Sequence, residues 1–278
     1  MDDASVNPTQ APIFRARAEG VAAAWFAPTG RGTEAARFRE AGGLRLRFPR
    51  STEVCETVIV NTGGGMAGGD RADLAFEAAS AASAMVTTQS AEKIYRSDGE
   101  TTLVAAKLRV EAGGALEWLP QETILFDGAK LKRRLDVDVI GDGRLLLVET
   151  LVFGRLAFGE THADFNLADD WRVRRDGRLL FAEALRLDGA RTLDRPAIGA
   201  GARAATTLLV VGAEPDGALD AVREALAVDL ADSLDAGASV VEGIVVARIA
   251  ARDPRQLRTA LDRAMLRLRG RARPRVWN

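Results

Sequence analysis

Residues 135–153 read LDVDVIGDGRLLLVETLVF, and this stretch decides the fold class. Leu135, Val137 and Val139 alternate with Asp136 and Asp138, a period of two that belongs to a half-buried strand. Asp142-Gly143 then supplies a turn. Leu145–Phe153 follows as an apolar run interrupted by Glu149. The same grammar recurs outward in both directions. Leu44, Leu46 and Phe48 alternate with Arg45 and Arg47, and Val58–Val60, Leu179–Leu187 and Thr206–Val211 are short apolar runs. Further Asp-Gly pairs at 98–99, 127–128, 176–177 and 188–189 punctuate the chain as in a many-stranded β protein. Residues 72–84 (ADLAFEAASAASA) suit a helix or a strand equally, and no internal repeat of fixed period is visible. Near the end the period changes. Leu219, Val222, Leu226 and Leu230 predict a helix over 216–232. Leu257, Leu261, Ala264 and Leu268 predict another over 253–270, with Asp253 as N-cap, Pro254 behind it and Gly270 as terminator. Gly243–Ala250 reads as a strand between them. The expected organisation is a disordered leader over 1–20 and a single β-rich domain over 21–278.

Composition narrows the class. With 278 residues, 47% hydrophobic and 28% charged, the chain has the balance of a soluble globular protein. Lys plus Arg total 38 against 39 for Asp plus Glu, a net charge of −1, so no global field draws it to nucleic acid or an anionic membrane. The stretches from Thr206 to Gly212 and from Gly243 to Ala250 are too short to span a bilayer. Cys55 is the single cysteine, which excludes an intramolecular disulfide and makes the reducing cytoplasm the expected compartment.

The chemistry-bearing residues are sparse. Asn61-Thr62-Gly63-Gly64-Gly65-Met66-Ala67-Gly68-Gly69-Asp70 follows a strand-like run, and Gly63, Gly65 and Gly68 match G-x-G-x-x-G. A nucleotide-binding enzyme is one reading, although alternating strand–helix units are lacking around it; a tight turn carrying Asp70 is the other. His162 is the only histidine, so nucleophilic hydrolysis and the usual zinc sites have almost no residues to draw on. Any metal handled here must be held by oxygen ligands, backbone groups or a partner, and therefore weakly. Carboxylates are plentiful, which admits a β-helical carbohydrate-active enzyme as a further alternative. Glu149 and Glu183 stand out because each interrupts an apolar run, where an unpaired inward charge is costly and an outward one is not. The segment Leu116–Phe126 is too apolar for a loop. Pro120 makes it an edge strand or a strand break, and its Trp118 and Phe126 either face a partner or pack in the core.

In order, the blocks resemble one family. TGGGMAGGD at 62–70, SAEKIYRSDG at 90–99, LEWLPQETILFDGA at 116–129, FGRLAFGE at 153–160, DRPAIG at 194–199 and RPRVW at 273–277 are similar to successive motifs of the UreD (UreH) family of urease accessory proteins. The resemblance implies an irregular β-helix-like stack of many short strands with two helices near the C-terminus. It also implies a cytoplasmic chaperone without turnover of its own. Such a protein binds UreF, and through it UreG, docks on apo-urease, and assists nickel insertion into the metallocentre; a dimeric arrangement within the complex is compatible with it. No cofactor is permanently bound; nickel is in transit. Carried over residue by residue, the resemblance makes Asp70, Glu149 and Glu183 the acidic residues of a transient nickel passage. The sequence departs from some relatives at Arg71, where a second acidic residue stands in them, and at Glu92, which replaces a small residue.

Overall fold

The structure, a computed structural model, describes residues 17–50, 54–212, 214–227 and 234–277. The predicted leader falls mostly on 1–16, outside the described residues. The first two strands, β1 (Glu19–Thr29) and β2 (Gly32–Ala41), form an antiparallel hairpin in one sheet, and β3 (Leu44–Arg47) crosses to the other. From there the chain winds. β4 (Cys55–Asn61), β6 (Ser83–Thr88), β9 (Ala115–Leu119) and β12 (Arg144–Phe153) pair in parallel on one side. The intervening β5 (Arg71–Ala78), β8 (Thr102–Val110), β11 (Ala129–Val139) and β13 (Phe165–Arg175) pair in parallel on the other, with β1 parallel to β5. Two short strands, β7 (Glu92–Ile94) and β10 (Thr123–Leu125), pair at the corner between the sheets. Each circuit thus gives a strand to each sheet, and the molecule is a β-solenoid-like stack. The ambiguous stretch 72–84 is β5, a turn and the start of β6, because both strands have neighbours waiting on either side.

The remaining strands, β14 (Arg178–Asp188), β15 (Ala204–Val211), β16 (Leu234–Val241) and β17 (Ile244–Ala251), return antiparallel and widen both sheets. Helices α1 (Pro215–Ala227) and α2 (Pro254–Arg269) then cover the outer face of the sheet that contains β12. The second helix starts as expected: the Asp253 carboxylate accepts a hydrogen bond from the Arg255 amide, Pro254 opens the first turn, and Gly270 ends it with φ +64°. The predicted extension of the first helix to 232 falls on 228–232, outside the described residues. No described helix is long and apolar enough to cross a membrane.

Two apolar layers explain the run LLLVETLVF. On β12, Leu145, Leu147, Leu151 and Phe153 face the core between the sheets, whereas Leu146, Val148 and Val152 face the helices. A strand covered on both sides reads as continuous rather than alternating hydrophobicity. Glu149 has the parity of the inner set, so it points inward. The segment 116–126 is internal as well: β9 lies between β6 and β12, Trp118 is buried, and Pro120 sits in the break before β10. Its edge-strand reading is corrected, and core packing holds for Trp118. Phe126 is half-buried and meets the Tyr95 ring edge-on at 5.1 Å.

Candidate functional site

The inner faces of three successive strands carry one charged residue each. Inward positions on β11 are Leu131, Arg133, Leu135 and Val137; on β13 they are Phe165, Leu167, Asp169, Trp171 and Val173. Arg133 and Asp169 are direct cross-strand partners. With Glu149 of β12 they meet in the core between the sheets. The Arg133 guanidinium donates through Nε and Nη2 to the two oxygens of Asp169 and through Nη1 to Glu149 Oε2. The remaining acceptor sites are used by indoles: Trp118 Nε1 donates to Glu149 Oε1 at 2.7 Å, and Trp171 Nε1 to Asp169 Oδ1 at 2.9 Å. Burial works against the guanidinium charge, but the two carboxylates outweigh it and hold the Arg133 pKa above its ordinary value. Burial, with Asp169 adding to it, pushes the Glu149 carboxyl above its usual range against the opposing pull of Arg133 and Trp118. The cluster sets one guanidinium between two carboxyl groups, and the burial that favours the protonated form of Glu149 limits the negative charge it keeps.

This cluster floors a cavity of about 470 Å³ that opens between β14 and the β15–β17 strands. Glu183 lines the same cavity, at 12% side-chain exposure, with both oxygens accepting from Arg248 of β17 at 3.0 and 3.1 Å. Asp235, exposed on β16, stands at its rim. Two of the three residues expected on a passage, Glu149 and Glu183, therefore share one chamber. Asp70 lies apart: its Oδ1 accepts from the Ala18 amide and its Oδ2 from the Ala67 amide, both at 2.8 Å. It ties the start of β1 to the glycine loop.

That loop is a corner of the solenoid. A Cβ on Gly65 would overlap the Tyr95 ring and one on Gly68 the Ser97 side chain, so the glycines let one coil stack on the next. After Gly69 comes β5, not the helix that a dinucleotide site needs at its phosphates. His162 pairs with Asp194 and is distant in role from Cys55, whose thiol burial pushes up. Among the described residues no group of three or more His, Cys, Asp or Glu is arranged to hold a metal ion. Arg133, Asp169, Asp235 and Arg248 are site residues that the sequence reading passed over. For the first two a signal existed: a charge at the inward phase of an alternating strand.

Together, the coiled strands and their acid-lined chamber define a β-solenoid protein built around an internal charged cavity. Residues 18–278 match the family model described as UreD urease accessory protein. The chain is 44% identical over 279 residues to the urease accessory protein UreD of Methylobacterium sp. (strain 4-46), covering 98% of this chain and 99% of that one. It is 46% identical over 231 residues to the protein so described in Beijerinckia indica subsp. indica, covering 82% and 85%. Against that of Xanthobacter autotrophicus it is 41% identical over 280 residues, covering 99% and 95%. The chain belongs to the UreD family of urease accessory proteins.

Proposed function

We propose that this protein is a non-catalytic scaffold of urease maturation in the cytoplasm. In this reading it holds UreF, and through it UreG, against apo-urease, and nickel passes through it on the way to the urease metallocentre. The observation that supports the passage is the shared chamber of Glu149 and Glu183. Its ligands are carboxylates already engaged by arginines, without thiolate or imidazole. Such oxygen donors hold a first-row dication loosely, which suits delivery better than storage.

The test compares two quantities for the same variants: nickel content of co-expressed urease, and recovery of the accessory proteins with it. Glu149→Gln leaves Arg133 paired with Asp169 in a one-to-one ion pair, so the fold survives. The Glu149→Gln/Glu183→Gln protein should assemble normally and deliver clearly less nickel. Full loading by this double variant would remove the passage from these residues. Asp70→Ala should instead weaken the fold, and with it assembly and loading together.

A further inference from the structure

Carboxylates reach the interior between the sheets with different compensation. Glu149 and Asp169 share Arg133, and Glu183 has Arg248. Glu92, on β7, has no ion pair among the described residues. Its two oxygens accept from one amide, Asn61 Nδ2, at 3.0 and 3.1 Å, and Lys93 beside it adds a backbone hydrogen bond and the pull of its charge. Glu92 lines a second, smaller and partly open cavity of about 70 Å³ between the sheets, with Thr88, Gln121 and Thr123 as further oxygen-bearing neighbours. Two residues line both this cavity and the open chamber: Arg133 and Glu149. The wall between the two spaces is therefore an ion pair, not a hydrophobic partition.

We propose that Arg133 is the door between an outer and an inner chamber of the cation route, and that Glu92 is the carboxylate that takes up the cation beyond it. The proposal rests on the passage reading above and adds the direction the route takes from Glu149. The five-donor fork of Arg133 holds both carboxylates at once, so a cation reaches them only by taking over acceptors that the guanidinium now occupies. Once past Glu149, the cation meets a carboxylate with no competing ion pair. The charge of Glu92, costly when left alone in a partly dry cavity, is offset while the ion is there.

The experiment uses urease co-expressed with the complete set of accessory proteins, with nickel per purified urease and pull-down yield read together across a series of supplied nickel concentrations. Glu92→Gln keeps an acceptor for Asn61 and should lower nickel content at least twofold with unchanged assembly. Glu224→Gln, an exposed carboxylate on α1, is the control and should load fully. Arg133→Lys keeps the charge but cannot bridge both carboxylates, so half-maximal loading should occur at severalfold lower nickel. Full loading with Glu92→Gln, alongside impaired loading with Glu149→Gln/Glu183→Gln, would overturn this proposal and leave the passage reading intact. Full loading by the latter pair would overturn both. An unchanged or raised nickel requirement with Arg133→Lys would make the arginine a strut and not a door. If Arg133→Lys fails to assemble, Glu92→Gln alone decides.

Discussion

Arg133 and Glu92 sit within the same interior against different partners, and their substitutions should fail differently. Arg133→Ala strands two buried carboxylates and removes donors from both, so it should cost about 3–5 kcal/mol in urea denaturation, whereas Glu149→Gln, which leaves a balanced pair, should cost about 1 kcal/mol. Glu92 gives a pH signature. Burial raises its carboxyl above 4.5, so the folded state binds that proton more tightly than the unfolded chain does. Its contribution is fully present below pH 4.5 and is lost as pH rises through the folded value. The melting temperature of the wild type relative to Glu92→Gln should therefore fall as pH increases across that window. A difference that stays flat, or rises, would contradict the burial argument. Much of this was readable one residue at a time. In KLKRRLDVDV, Arg133 shares the phase of Leu131 and Leu135; in FNLADDWRV, Asp169 shares the phase of Phe165, Leu167 and Trp171. Glu149 was ambiguous for a physical reason: its strand is apolar on both faces, so alternation could not say which way it points.

Among the elements, α2 was the most legible because its boundaries are set by local chemistry: an aspartate cap, a proline in the first turn and a glycine that takes the left-handed conformation. Asp253→Ala should therefore cost about 1 kcal/mol of stability. The corner elements were legible as turns but not as neighbours. The Met66 carbonyl accepts from the Tyr95 amide, and the Ile94 carbonyl from the Phe126 amide, so residues about thirty positions apart build a single edge of the molecule. A methyl at Gly68 would overlap the Ser97 hydroxyl and approach the Glu100 carbonyl, both in the next coil. Gly68→Ala should cost about 1–3 kcal/mol and show it as a lowered melting temperature. Strand β16 escaped the sequence reading altogether, because LDAGASVV carries small residues where a strand usually shows bulk. Of the two readings of Pro120, the strand break holds and the edge strand does not: pairing stops locally while β9 stays internal.

At the scale of the whole molecule, the period that organises the fold never appears as a sequence repeat. The stacked positions Cys55, Ala84, Leu116 and Leu145 are 29, 32 and 29 residues apart, since corners differ in length while strands stay in register. Circular dichroism should be dominated by β signal with a minor helical share. The isolated protein should bind nickel no more tightly than micromolar, and stoichiometric nanomolar binding by a single chain would contradict a passage built from paired carboxylates. The closing layer has a consequence for timing. The outer face of β12 is covered by the helical layer, and the chain finishes by threading its end into the middle: Trp277 Nε1 donates to Thr87 Oγ1 at 2.7 Å, and the Val276 carbonyl accepts from Gln121. A ribosome that has just completed β12 must still add more than a hundred residues before α2 is made, on the order of 10 s of synthesis. Until the helices are in place, Met85, Leu119, Val148 and Val152 lack part of their apolar cover. Deleting residues 254–278 makes that exposure permanent and should send the product into the insoluble fraction even though every coil of the solenoid is present.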